Sequence, residues 1–71
     1  MLDLTQLDRE ICDLLLQSLS NREISVRLGR GMTEDAVKRS LAVIFRRNEI
    51  DPSRDRRVLL ALRYLAEKTS A

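Results

Sequence analysis

An all-α domain of four helices is predicted by three observations on this chain. Apolar residues recur at three- and four-residue spacing through most of it. The composition is rich in Leu, Arg and Glu and holds two Gly, one Pro and no Trp, which fits helix. Cap and turn signals divide the periodic stretches and place helices at about residues 5–17, 21–28, 34–47 and 54–67. With 71 residues, 44% apolar and 34% charged, the chain has room for one folded domain over residues 1–71. Its core is modest, so a partner subunit would add stability.

Thr5 opens the first helix, with Asp8 three residues on. Leu4, Leu7, Ile11, Leu14 and Leu15 form one apolar face, which Cys12, Leu16 and Leu19 widen. The opposite face, Asp8, Arg9, Asp13 and Gln17, reads as solvated surface. Cys12 sits among apolar neighbours and reads as a buried small hydrophobe.

Ser20-Asn21-Arg22-Glu23 is a capping box for the second helix, which ends at Gly29 and packs through Ile24 and Leu28. Beyond Gly31, Thr33 caps the third helix, and Glu34 and Asp35 place negative charge in its first turn, where the helix dipole favours it. Val37, Leu41, Ile44 and Phe45 make its buried stripe. The far side holds Asp35, Arg39, Ala42 and Arg46, with Lys38 and Val43 at the margins. That side is either a plain solvated basic face or a surface on which small Ala42 lets the helix approach a groove closely. A short helix, a turn containing Gly and a longer basic helix form the pattern of a helix-turn-helix, whose second helix can enter the DNA major groove.

Asn48 to Ser53 has turn chemistry and no periodicity, so it is a connecting loop. The fourth helix begins either with Asp51 as cap and Pro52 first, or with Ser53 as cap, and Ser53 is favoured. Val58, Ala61, Leu62 and Leu65 are expected on its core face. Leu60 and Tyr64 then lie nearly opposite, flanked by Arg56, Arg57 and Glu67, with Leu59 adjoining them. That apolar pair suggests a second interface, the alternative being scattered surface hydrophobicity. Residues 67–71 are expected to fray.

The net charge of +2 is unevenly spread. Residues 1–21 carry −3, residues 22–47 carry +4 and residues 54–63 carry +3. The basic part coincides with the helix-turn-helix pattern and suits a polyanion. The chain has no His and one Cys, no Gly-rich phosphate loop and no carboxylate pair on an apolar concave surface. Enzyme, metal and cofactor readings are therefore unsupported, and an internal disulfide is impossible. No apolar run approaches the roughly 18 residues of a membrane span, and Met1-Leu2-Asp3 lacks the basic start of a signal peptide, so the expected compartment is the cytoplasm. Aromatic residues are too few for a stacking platform, which favours duplex over single-stranded nucleic acid.

The residues reached so far resemble the LuxR-type (GerE-type) helix-turn-helix domain. Leu4-Thr5, Ile11-Cys12, Leu19 to Ile24, Leu28-Gly29, Thr33-Glu34, Val37-Lys38, Ile44, Arg47 and Ser53-Arg54 carry the resemblance, over about Leu4 to Ala66. It implies a four-helix domain whose third helix reads the major groove and whose fourth often makes a dimer. By position it assigns base contacts to Lys38, Arg39 and Ala42. The chain departs from the pattern at Arg30-Gly31, two extra residues in the turn. Ala36 stands for a usual Thr, Ser40 for a usual His, Ser18 for a frequent Gly, and Asn48-Glu49 for a common Leu-Gly.

The expected function is a sequence-specific double-stranded DNA-binding transcription regulator. Lys38 and Arg39 would read base edges, while Arg22, Arg27, Arg46, Arg47 and Arg54 neutralise phosphates and the helix start at Thr33 adds N–H contacts. A homodimer would form through the fourth helix, by way of Arg56, Leu59, Leu60, Arg63 and Tyr64. The alternative is a protein-interaction module of the same fold that binds a partner regulator or RNA polymerase through that helix.

Overall fold

The computed structural model describes residues 1–70, which form four α-helices and, among the described residues, no strand. The helices are α1 (Gln6–Leu15), α2 (Asn21–Leu28), α3 (Glu34–Arg47) and α4 (Arg56–Thr69). α1 packs against each of the other three, and α2 and α3 make the most extensive interhelical contact.

Each helix start is capped by a side chain. Thr5 Oγ1 accepts from the Asp8 amide at 3.1 Å while Asp8 Oδ2 accepts from the Thr5 amide at 2.9 Å, and Ser20 and Glu23 make the same reciprocal pair. Thr33 Oγ1 accepts from the Ala36 amide at 3.0 Å. The fourth cap differs from expectation: it is Asp55, which accepts from the Val58 amide, so α4 begins at Arg56. Neither Asp51 nor Ser53 is available as a cap, because the Asp51 carboxylate is bonded to both the amide and the hydroxyl of Ser53 in a local turn.

Two helix ends use left-handed residues that carry side chains. After α1 the chain turns at Ser18, with φ +61°, and the Ser18 amide bonds to the Leu15 carbonyl at 3.0 Å, which ends the helix two residues early. After α3, Glu49 has φ +52°; its amide bonds to Arg46 O at 3.2 Å, and the Ile50 amide to Phe45 O at 2.9 Å. That is a Schellman closure, with Ile50 folded back into the core.

Ile11, Cys12 and Leu15 of α1 meet Ile24 and Leu28 of α2, Val37, Leu41, Ile44 and Phe45 of α3, and Leu60 and Tyr64 of α4. The stripes expected for α2 and α3 are the buried ones. α4 is turned the other way. Leu60 and Tyr64, expected outside, are 0% and 4% exposed, whereas Val58 and Leu62, expected inside, are 52% and 59% exposed. α4 carries apolar residues on two sides, so periodicity alone does not select the inner one. Its polar anchors do. Tyr64 donates its hydroxyl to Asp13 Oδ1 at 2.7 Å, Arg57 donates to Leu19 O at 2.7 Å and to Asn21 Oδ1, and Arg63 donates to Asn48 O at 3.1 Å. A buried tyrosine needs a partner for its hydroxyl, and α1 supplies one.

The first residues of the chain are tied down as well. The Leu2 amide donates to both carboxylate oxygens of Glu67, at 3.0 and 2.8 Å, and the Leu2 side chain is buried. The Asp3 amide donates to Asn48 Oδ1 at 2.6 Å, and Asn48 Nδ2 donates to Asp3 O and Ile44 O. With Glu67 held in this way, α4 runs on to Thr69, past the expected start of fraying. Ala71, the last residue of that expectation, lies outside the described residues.

Candidate nucleic-acid interface

Between α2 and α3 the chain makes a tight turn, with φ +63°, +54° and +77° at Gly29, Arg30 and Gly31. The Met32 amide bonds to Gly29 O at 2.9 Å, closing a β-turn whose two central residues, Arg30 and Gly31, both have positive φ, as a type I′ turn requires. Arg30 and Gly31 are thus the centre of a closed turn. Arg30 Nη2 also lies 2.9 Å from Glu10 Oε1, which pins the turn to α1.

That turn presents α3 with Val37, Leu41, Ile44 and Phe45 inward. Arg39, Val43 and Arg46 are exposed and stand at i, i+4 and i+7, one stripe along the opposite side. Arg39 makes a long ion pair with Asp35, at 3.5 Å, in which both groups remain exposed. Among the described residues Lys38 and Arg46 make no ion pair. Ala42 is half-buried, and with Lys38 it forms one wall of a groove of about 480 Å³ whose other wall comes from the loop before α4 and its first turn. Leu41 and Phe45 lie at its base, and Lys38, Arg54, Arg56 and Arg57 make its lining basic against the single acid Asp55. The Arg56 guanidinium lies over the Phe45 ring, 4.8 Å from its centroid, in a cation–π contact.

Several expected site residues therefore divide differently. Arg56, assigned from sequence to a dimer interface, belongs to this basic groove beside Arg54. Arg47, assigned to phosphate, is a latch: Nη1 lies 2.7 Å from Asp8 Oδ2 and 3.5 Å from Asp3 O, leaving the side chain 33% exposed. Asp8, expected on a solvated face, is buried as the acceptor of that latch. Arg22 and Arg27 are exposed on α2, but Arg27 lines a concavity with Glu10 and Asp13, where α1 is acidic. Thr33 is exposed at the start of α3. Of the expected dimer residues, Leu60 and Tyr64 are core, Leu59 is half-buried and Arg63 is bonded to Asn48 O. The outward apolar stripe of α4 is Val58, Leu62 and Leu65.

Cys12 is fully buried, and desolvation first, then the nearby Asp8 and Asp13 charges, push its thiol up to about 12, which leaves it un-ionised and inert. Burial likewise pushes the Tyr64 hydroxyl up to about 12, and its hydrogen bond holds the Asp13 carboxyl below the usual range. These groups serve packing. No protein-family model, curated protein or solved structure matches this chain.

Proposed function

We propose that this protein is a sequence-specific double-stranded DNA-binding transcription regulator whose α2 and α3 act as a helix-turn-helix, with α3 in the major groove. One observation carries the reading: the outward stripe of α3, Arg39, Val43 and Arg46, adjoins a basic groove lined by Lys38, Arg54 and Arg56. Base edges are read from Arg39 and Val43 of the stripe and from Lys38. Phosphates are met by Arg46, Arg54 and Arg56, and by the free N–H groups at the start of α3.

The kinship proposed is with LuxR-type domains. It is supported by Ser18 and Glu49, which stand where that family commonly has Gly and which have φ +61° and +52°. The protein acts in the cytoplasm as a homodimer joined through Val58, Leu62 and Leu65, which run at i, i+4 and i+7 on the exposed side of α4. A second copy suits this stripe because it is self-complementary when two α4 helices cross antiparallel, and a domain this small gains stability from pairing.

A second reading, favoured by that same exposed stripe, is an interaction module that docks α4 on a partner regulator or RNA polymerase without reading DNA. Binding selection on random duplex DNA, followed by a salt series on the enriched duplex, separates the two. The DNA reading expects log K to fall with log salt at about −0.9 per phosphate contact, and a salt-independent affinity overturns it.

A further inference from the structure

Val43 is 40% exposed and lies on the outward stripe of α3 between Arg39 and Arg46. The inner side of the helix is supplied by Val37, Leu41, Ile44 and Phe45, so the core does not require an apolar residue at this position. Arg39, Ser40 and Arg47 of α3 and, from the start of α1, Thr5 and Asp8 line a shallow concavity together with Val43, which remains exposed. An apolar group in that position has one apolar counterpart on the base edges of the major groove, the C5 methyl of thymine; every other feature there is a hydrogen-bond donor or acceptor.

We infer that Val43 is a specificity-determining residue that packs on a thymine methyl while Arg39 bonds a neighbouring guanine. The inference rests on the DNA reading above. Four residues of helix rise about 6 Å and stacked bases about 3.4 Å, so the thymine falls within about two base pairs of the guanine. A lone valine on a solvated face would carry no such preference.

The test uses the full chain and the duplex enriched by it from random DNA. Each thymine is replaced in turn by deoxyuridine, which keeps the pairing edge and loses only the methyl group. One position per half-site is expected to weaken binding about fourfold, the weight of one apolar carbon removed from water. Val43→Ala is expected to bind the thymine duplex as weakly as wild type binds the uracil one and to lose the discrimination, while Val43→Ile retains it. Wild-type binding that ignores every replacement, or a discrimination that survives in Val43→Ala, overturns the inference and leaves DNA reading standing. Failure to enrich any duplex removes the DNA reading and this inference together.

Discussion

Arg47 Nη1 lies 2.7 Å from Asp8 Oδ2 and joins the last turn of α3 to the first turn of α1. The same carboxylate oxygen accepts the Thr5 amide, so one buried acid serves both as half of a capping box and as the anchor of an interhelical ion pair. Arg47→Ala strips the charged partner from that acid. It is expected to cost about 1–3 kcal/mol in urea-denaturation stability, the range for a buried charged group that loses one of its hydrogen-bond partners. The salt slope of DNA binding is expected to stay as it is, because the guanidinium is engaged within the protein. A slope lowered by one contact with no loss of stability would return Arg47 to the phosphate set.

Ser18 and Glu49 hold left-handed conformations that cost residues with a Cβ about 1–2 kcal/mol, part of which glycine returns through its freer unfolded chain. Ser18→Gly and Glu49→Gly are each expected to stabilise the domain by about 0.5–1 kcal/mol. The corresponding rise in Tm is a few degrees. An unchanged or lowered midpoint in thermal unfolding would contradict the turn geometry.

α4 provides a paired test of its orientation. Leu60→Ala opens a hole in the core and is expected to cost about 2–5 kcal/mol. Leu62→Glu is expected to leave the fold intact, as read by circular dichroism, and to halve the mass measured by light scattering. A large loss of stability from Leu62→Glu with little from Leu60→Ala would restore the orientation that periodicity suggested.

Changing the charge at Arg39 and at Arg56 separates reading from positioning. Arg39→Glu is expected to abolish discrimination between the enriched duplex and random DNA. Arg56→Ala is expected to weaken both alike and to make the salt slope shallower by about one contact. Titrations followed by fluorescence anisotropy would check both.

The Tyr64–Asp13 hydrogen bond shapes the pH profile. The Asp13 carboxyl is lowered first of all by Tyr64, so its contribution is present above the ordinary carboxylate value of 3.8 and is lost as pH falls through the lower folded value. Tyr64→Phe is expected to make the acid limb shallower. Cys12 and Tyr64 are raised from 9.0 and 10.0 to about 12, so their neutral forms stabilise the fold below those ordinary values. Stability is expected to decline between about pH 9 and 12. Thermal melts from pH 2 to 12 would show both limbs.

Local chemistry accounts for what could be read in advance. Thr5, Ser20 and Thr33 cap their helices because each hydroxyl reaches an amide three residues away, a distance written in the sequence. The buried stripes of α2 and α3 follow equally directly from the 3.6-residue period. At α4 the cap is Asp55, because Asp51 and Ser53, which offer the same cap chemistry, bond to each other instead. In the candidate site, the exposure of Arg39 and Arg46 was legible from the period, whereas the roles of Arg47 and Arg56 were not, since Asp8 and Phe45 are their partners from distant stretches of chain.

By itself, then, the sequence determined four helices, three of their caps and the inward faces of α2 and α3, all set by contacts within about one helical turn. Tertiary structure alone decided which side of α4 turns inward, that Asp8 is buried, and that Leu2 is tied to Glu67 across 65 residues. The reason is geometric. A helix with apolar residues on two sides satisfies periodicity either way round, and the choice passes to Tyr64, Arg57 and Arg63, whose hydrogen-bond partners exist only once α1, α2 and the end of α3 have come together.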